Sequence, residues 1–142
     1  MMELYQERLL THAKHPQGAG IVPRGTEDAE AIHPGCGDEI RVKLAWTSEG
    51  TLEALTHEMH GCAVSVAGAS MAVDFLKGKT RKEIVATSSA FAARLGKTGF
   101  EEEWGDFRAF NGIERYPARI HCAGLVWKAL EQALAQESEH HP

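Results

Sequence analysis

Between residues 39 and 46 the chain alternates: Ile40, Val42, Leu44 and Trp46 interleave with Glu39, Arg41, Lys43 and Ala45. A period of two puts one set of side chains on each face of a strand, so this segment reads as a half-buried strand. One strand cannot bury its apolar face alone. Ser48, Glu49 and Gly50 form a turn signal, and residues 51–60 are expected to return antiparallel as the hairpin partner. After residue 62 the period changes. Ala63, Ala67, Gly68, Ala69, Ser70 and Ala72 make a small-residue run to Leu76, which suits a helix packed closely on its neighbours and ended by Gly78. Thr80 with Glu83 has the spacing of a capping box and opens a further helix to about Leu95.

The remaining segments complete the outline. Leu4, Leu9, Leu10 and Ala13 give a moderate helical pattern over residues 2–14, closed by Pro16 and Gly18, and residues 15–24 are expected to cross the surface as an extended loop. Residues 96–116 read as loop with a short helical piece near 106–110, in which Glu101 to Glu103 is a solvated acidic stretch. Pro117 precedes a last helix carrying Ala123, Val126, Trp127, Leu130, Ala133 and Leu134 at helical spacing, with a frayed tail over 137–142. Trp46, Trp104 and Trp127 are expected as packing residues. Strands first and helices afterwards predict an α+β fold, a small antiparallel sheet covered on one face by helices.

Length and charge narrow the function. A chain of 142 residues, 43% hydrophobic and 25% charged, fits one soluble domain spanning 1–142. Fifteen Lys and Arg against twenty Asp and Glu give a formal charge of −5, the wrong sign for gripping a phosphate backbone, so no nucleic-acid partner is expected. No apolar run approaches the ~18 residues that cross a bilayer, and Met1 to Leu10 lacks the layout of a signal peptide. No membrane partner is expected, and the location expected is cytoplasmic. The three cysteines cannot pair off among themselves and in a reducing compartment stay thiols.

Each cysteine has a telling neighbourhood. Cys36 lies in Pro34-Gly35-Cys36-Gly37-Asp38, where flanking glycines let thiol and carboxylate converge on one ion. Cys62 follows Gly61 where strand gives way to helix, so the positive helix end should lower its pKa. Cys122 falls in the first turns of the last helix, one turn after Arg119, and the same electrostatics are expected there. Three thiolates and one carboxylate would complete a zinc site or one face of an iron–sulfur cluster. Three buried cysteines packing as small hydrophobes would give the same count, and no CxxC pair separates the readings.

Other motifs fail on spacing. His57 and His60 are three apart rather than four and read as surface residues on opposite strand faces. Gly78-Lys79-Thr80 and Gly96-Lys97-Thr98 lack the earlier glycine of a phosphate loop, which is Val73 and Phe91 here. Gly18 and Gly20 do not open a helix, so a dinucleotide fingerprint is absent. His121, beside Cys122, is open between ligand, proton carrier and solvated side chain.

Together, Pro34-Gly35-Cys36-Gly37-Asp38, Gly61-Cys62-Ala63-Val64-Ser65 and Pro117-Ala118-Arg119-Ile120-His121-Cys122 resemble the three cysteine motifs of the IscU/SufU (NifU N-terminal) family, from the first helix to about Ala135. The long stretch between the second and third motifs, and the run from Cys122 to Leu130, are closer to the SufU branch. Two features depart from that branch: His121 is of the IscU type, and His15 to Gly20 replaces the family's usual Pro-Arg-Asn. The resemblance implies a three-stranded antiparallel sheet packed against helices and zinc held by Cys36, Asp38, Cys62 and Cys122. It implies as partners a SufS-like pyridoxal-phosphate cysteine desulfurase and downstream iron–sulfur assembly proteins. Cys36 would then be the sulfur acceptor and Arg119 the residue that pairs with Asp38. The expected function is a zinc-dependent sulfurtransferase. The alternatives are a [2Fe–2S] assembly scaffold on the same ligands and a domain whose zinc is purely structural.

Overall fold

The computed structural model describes residues 2–26, 28–33 and 37–140, without the side chains of 2–5, 33 and 136–140. Helix α1 (Met2–Lys14) leads into an irregular segment, then strands β1 (Ala29–His33), β2 (Asp38–Trp46) and β3 (Leu52–His60). Helices α2 (Ala63–Leu76) and α3 (Arg81–Ala93) follow, and after a stretch of single-turn helix come α4 (Pro117–Ala123) and α5 (Leu125–His140). The sheet has the order β1-β2-β3 with both pairings antiparallel. The α+β architecture expected from the sequence is therefore the one observed.

The alternation of β2 is realised: Ile40, Val42 and Leu44 are buried and face α5, while Arg41 on the other face joins Glu30 at 2.9 Å and Glu58 at 3.6 Å across the neighbouring strands. A bulge opposite Ala45 and Trp46 adds one residue to β3, so Leu52 and Leu55, an odd distance apart, both turn inward. Strand β1 was not legible locally, because its inward residues are Ala29 and Ala31, too small to mark a face, while the larger Ile32 points outward and is 52% exposed.

Helix α2 packs as its small residues require. Ala67, Ala69, Ser70 and Ala72 are fully buried, and a Cβ on Gly68 would stand 3.0 Å from the Ala123 carbonyl oxygen of α4. Thr80 caps α3 with the reciprocal capping box, its hydroxyl accepting from Glu83 N–H and its own N–H donating to Glu83.

Three expectations are corrected. The 96–116 segment is more ordered than a loop: 3₁₀ turns at Glu102–Phe110 and Ile113–Arg115 place Trp104, Phe107, Phe110 and Ile113 in the core. Phe100, Trp104, Phe107 and Phe110 build an aromatic cluster with Phe91 and Trp127, whose rings stack at 4.7 Å. Trp46 is partly buried and the other two tryptophans are buried, as expected of packing residues. The last helix is two helices, broken at Gly124 (φ −92°, ψ −1°). The backbone is helical to His140, and residues 141–142 lie outside the described residues.

His57 is the third correction, for it is buried at 1% exposure while His60 is exposed. The 17–20 segment lies over it: Gly18 O accepts from His57 N–H, Gly20 N–H donates to His57 O, and the ring Nε2 meets Gln17 O at 2.8 Å. Burial lowers the His57 pKa from its ordinary 6.5 against the opposing Gln17 contact, so the ring stays neutral where the unfolded chain takes a proton. Unfolding free energy should therefore fall as pH drops below about 6.5. In His57→Leu that part of the loss should vanish, giving a flatter dependence of urea midpoints between about pH 7 and pH 5.

Candidate metal centre

Three elements meet at one end of the sheet. Cys62 is the N-cap of α2, with extended backbone (φ −75°, ψ 170°), which turns its side chain out of the helix start. Cys122 lies in the last turn of α4 and is buried, its Sγ 3.6 Å from Ala118 O. Asp38 opens β2 and is buried at 6% exposure. The close contact of α2 with α4 brings the two sulfurs together, and the β2–β3 register, which pairs Glu39 with His60, sets Asp38 beside Gly61. One donor atom from each of Asp38, Cys62 and Cys122 lies within 4.8 Å of the other two. Cys36 lies outside the described residues.

This donor set suits a thiophilic ion. Zinc–sulfur bonds of about 2.3 Å give tetrahedral edges of about 3.8 Å, so the donors need close in by only about an ångström. Two sulfurs and a carboxylate fit zinc or iron–sulfur chemistry and are a poor cage for magnesium or calcium. Among the described residues, His121 is outside this donor group; it is exposed and borders a cleft with Leu95, Gly124 and Lys128.

The two thiols differ. Burial resists ionisation of Cys62, yet hydrogen bonds led by the Ser65 N–H outweigh it and hold its pKa below the ordinary thiol value. Cys122 goes the other way: burial first, then neighbouring Cys62, push its pKa up to about 12. The expectation of a lowered pKa at Cys122 is thus overturned. With the break at Gly124, Cys122 sits near the carboxyl end of a short helix, where backbone carbonyls rather than N–H groups are unpaired. Arg119, exposed, faces this pair; the Cys62 charge foremost, then a hydrogen bond to that sulfur, raises the guanidinium pKa. Cys62 foremost, and then Cys122, are the sulfur neighbours that shift it.

Two residues of the site were given no individual role in the sequence reading. Asp38 Oδ2 accepts hydrogen bonds from Ser65 Oγ at 2.5 Å and from Cys62 N–H at 3.2 Å. A Cβ on Gly61 would fall 2.7 Å from both Asp38 Cγ and Oδ2. The signal for Ser65 was its place three residues after the N-cap, where a polar side chain reaches back over the helix start.

The profile of the NifU-like N terminal domain family matches residues 4–140. The chain belongs to that family. Within it, the chain is 32% identical over 136 residues to the "Zinc-dependent sulfurtransferase SufU" of Bacillus subtilis (strain 168), covering 94% of this chain and 91% of the relative. It is 28% identical over 137 residues to the "Iron-sulfur cluster assembly scaffold protein IscU" of Streptococcus pyogenes serotype M1, covering 95% and 85%. A NifU-like N-terminal structure from Brucella abortus superposes with a TM-score of 0.79 at 25% identity, covering 98% of this chain and 99% of that one. The family expected from the three cysteine motifs is thus the family found, and the three-stranded sheet with its helices is its fold. Among the described residues no helix is long and apolar enough to cross a membrane.

Gly61→Ala should drive the Asp38 carboxylate out of its seat. The expected cost is about 1–3 kcal/mol in urea unfolding, as for other overpacked sites, together with weaker zinc retention against a chelator.

Proposed function

We propose that this chain is a zinc-dependent sulfurtransferase of iron–sulfur cluster assembly, taking sulfur from a pyridoxal-phosphate cysteine desulfurase. The observation that carries the reading is the convergence of Asp38, Cys62 and Cys122 donors within 4.8 Å. The 32% identity to the B. subtilis sulfurtransferase supports it. Cys36, two residues ahead of Asp38 in the sequence, supplies the fourth ligand and the nucleophile. Bound zinc would keep its sulfur ligands as thiolates at neutral pH.

The residues divide the work. Cys62 and Cys122 anchor the centre from two helices, and Asp38 supplies an oxygen that dissociates more readily than sulfur from a soft site. The Cys36 thiolate attacks the terminal sulfur of the desulfurase persulfide. A new S–S bond forms on Cys36, the donor's S–S bond breaks, and the donor cysteine leaves as a thiolate, with no net oxidation. Arg119, beside the two sulfurs, offsets negative charge gathered at the centre during the exchange. The recipient is a downstream assembly protein.

A second reading, a scaffold for a [2Fe–2S] cluster on the same ligands, is favoured by the 28% identity to the S. pyogenes scaffold and by His121. Cys36→Ala separates function from folding. In the presence of a SufS-like desulfurase and cysteine, the wild-type chain should gain the mass of one sulfur atom and stimulate cysteine turnover. The variant should do neither and should still fold. Unfolding of the variant in step with its lost metal would identify a structural zinc instead. A stable visible chromophore after anaerobic supply of iron and sulfide, replacing zinc, would favour the scaffold.

A further inference from the structure

The Asp38 carboxylate is held on one oxygen by two protein donors. Oδ2 takes the Ser65 hydroxyl at 2.5 Å and the Cys62 N–H at 3.2 Å, and the bare backbone of Gly61 closes its other side. Ser65 itself is 1% exposed, and its Oγ lies 3.6 Å from Cys62 Sγ. A hydroxyl has one proton, and the short contact assigns it to the carboxylate. Ser65 thereby ties the oxygen donor on β2 to the helix start that carries a sulfur donor. With two protein donors on Oδ2, Asp38 is disposed to give an ion a single oxygen rather than both.

We propose that Ser65 is a positioning residue of the metal centre: its hydroxyl fixes Asp38 as a one-oxygen ligand within reach of Cys62 and Cys122. Zinc affinity therefore depends on Ser65, and it does so through Asp38. The inference rests on the metal-centre reading above and adds the residue that sets the geometry of its oxygen ligand. A hydroxyl that served only to fill the core or to cap α2 would affect stability without regard to whether Asp38 is present.

The test is a double-mutant cycle on zinc affinity, by competition with a coloured chelator, using the full chain as wild type, Ser65→Ala, Asp38→Ala and the double variant. Removing a partner that orients a metal ligand weakens binding about 10- to 100-fold. Ser65→Ala is expected to show such a loss in the wild-type background and no further loss beside Asp38→Ala. In the cobalt-loaded chain, Ser65→Ala should shift the visible ligand-field bands in the direction that Asp38→Ala shifts them. Equal losses in both backgrounds, or none in either, overturn the role of Ser65 and leave the metal centre standing. A wild-type chain that holds no zinc overturns the metal-centre reading and this proposal with it. Should Ser65→Ala fail to fold, Ser65→Thr and Ser65→Val are a pair of matched shape. Threonine is expected to keep the affinity and valine to lose it, and equal affinities overturn the proposal.

Discussion

The approach of α2 to α4 is the constraint on which the site depends. Gly68 lies where a single added carbon would stand 3.0 Å from the Ala123 carbonyl oxygen, and the small residues flanking it are fully buried. Close backbone approach fixes the offset between the two helices more tightly than large interdigitating side chains would, since little can rotate or repack. The two anchored sulfurs sit on those helices, Cys62 at the start of one and Cys122 near the end of the other. Their proximity follows from the crossing.

The sheet contributes the third donor by a different route. Strand register, set by the alternation in β2 and by the bulge near its end, decides which residue of β2 stands opposite the turn into α2. Asp38 occupies that place, and Gly61 leaves the space its carboxylate needs. The centre is therefore built from two kinds of packing, helix on helix and strand on strand, joined at the short link between β3 and α2.

Much of this was legible in the sequence, for reasons particular to each element. The β2 alternation and the Thr80–Glu83 capping box carry local signals that tertiary packing did not override. Strand β1 had no such signal, because alanines mark its inner face. The 3₁₀ turns around Trp104 and Phe107 have too few residues per turn and too little length to show helical periodicity. His57 was misplaced because its burial comes from the Gln17–Gly20 segment, forty residues away in sequence. At the site, the convergence of Asp38, Cys62 and Cys122 was readable from the motifs that carry them. The division of labour between the thiols was not: it depends on Gly124 breaking the last helix, and on Ser65 reaching across to a strand.

The position of the donors on β2, α2 and α4 has an energetic corollary. An ion shared by these elements would act as a rivet between parts of the chain far apart in sequence, since an unfolded chain offers it no comparable seat. Occupancy at a hundredfold excess over Kd would add about 2.7 kcal/mol to folding, a sizeable share of the roughly 5–15 kcal/mol that holds a typical domain together. A partner that draws the ion away would thus also loosen the corner of the molecule where sheet and helices meet.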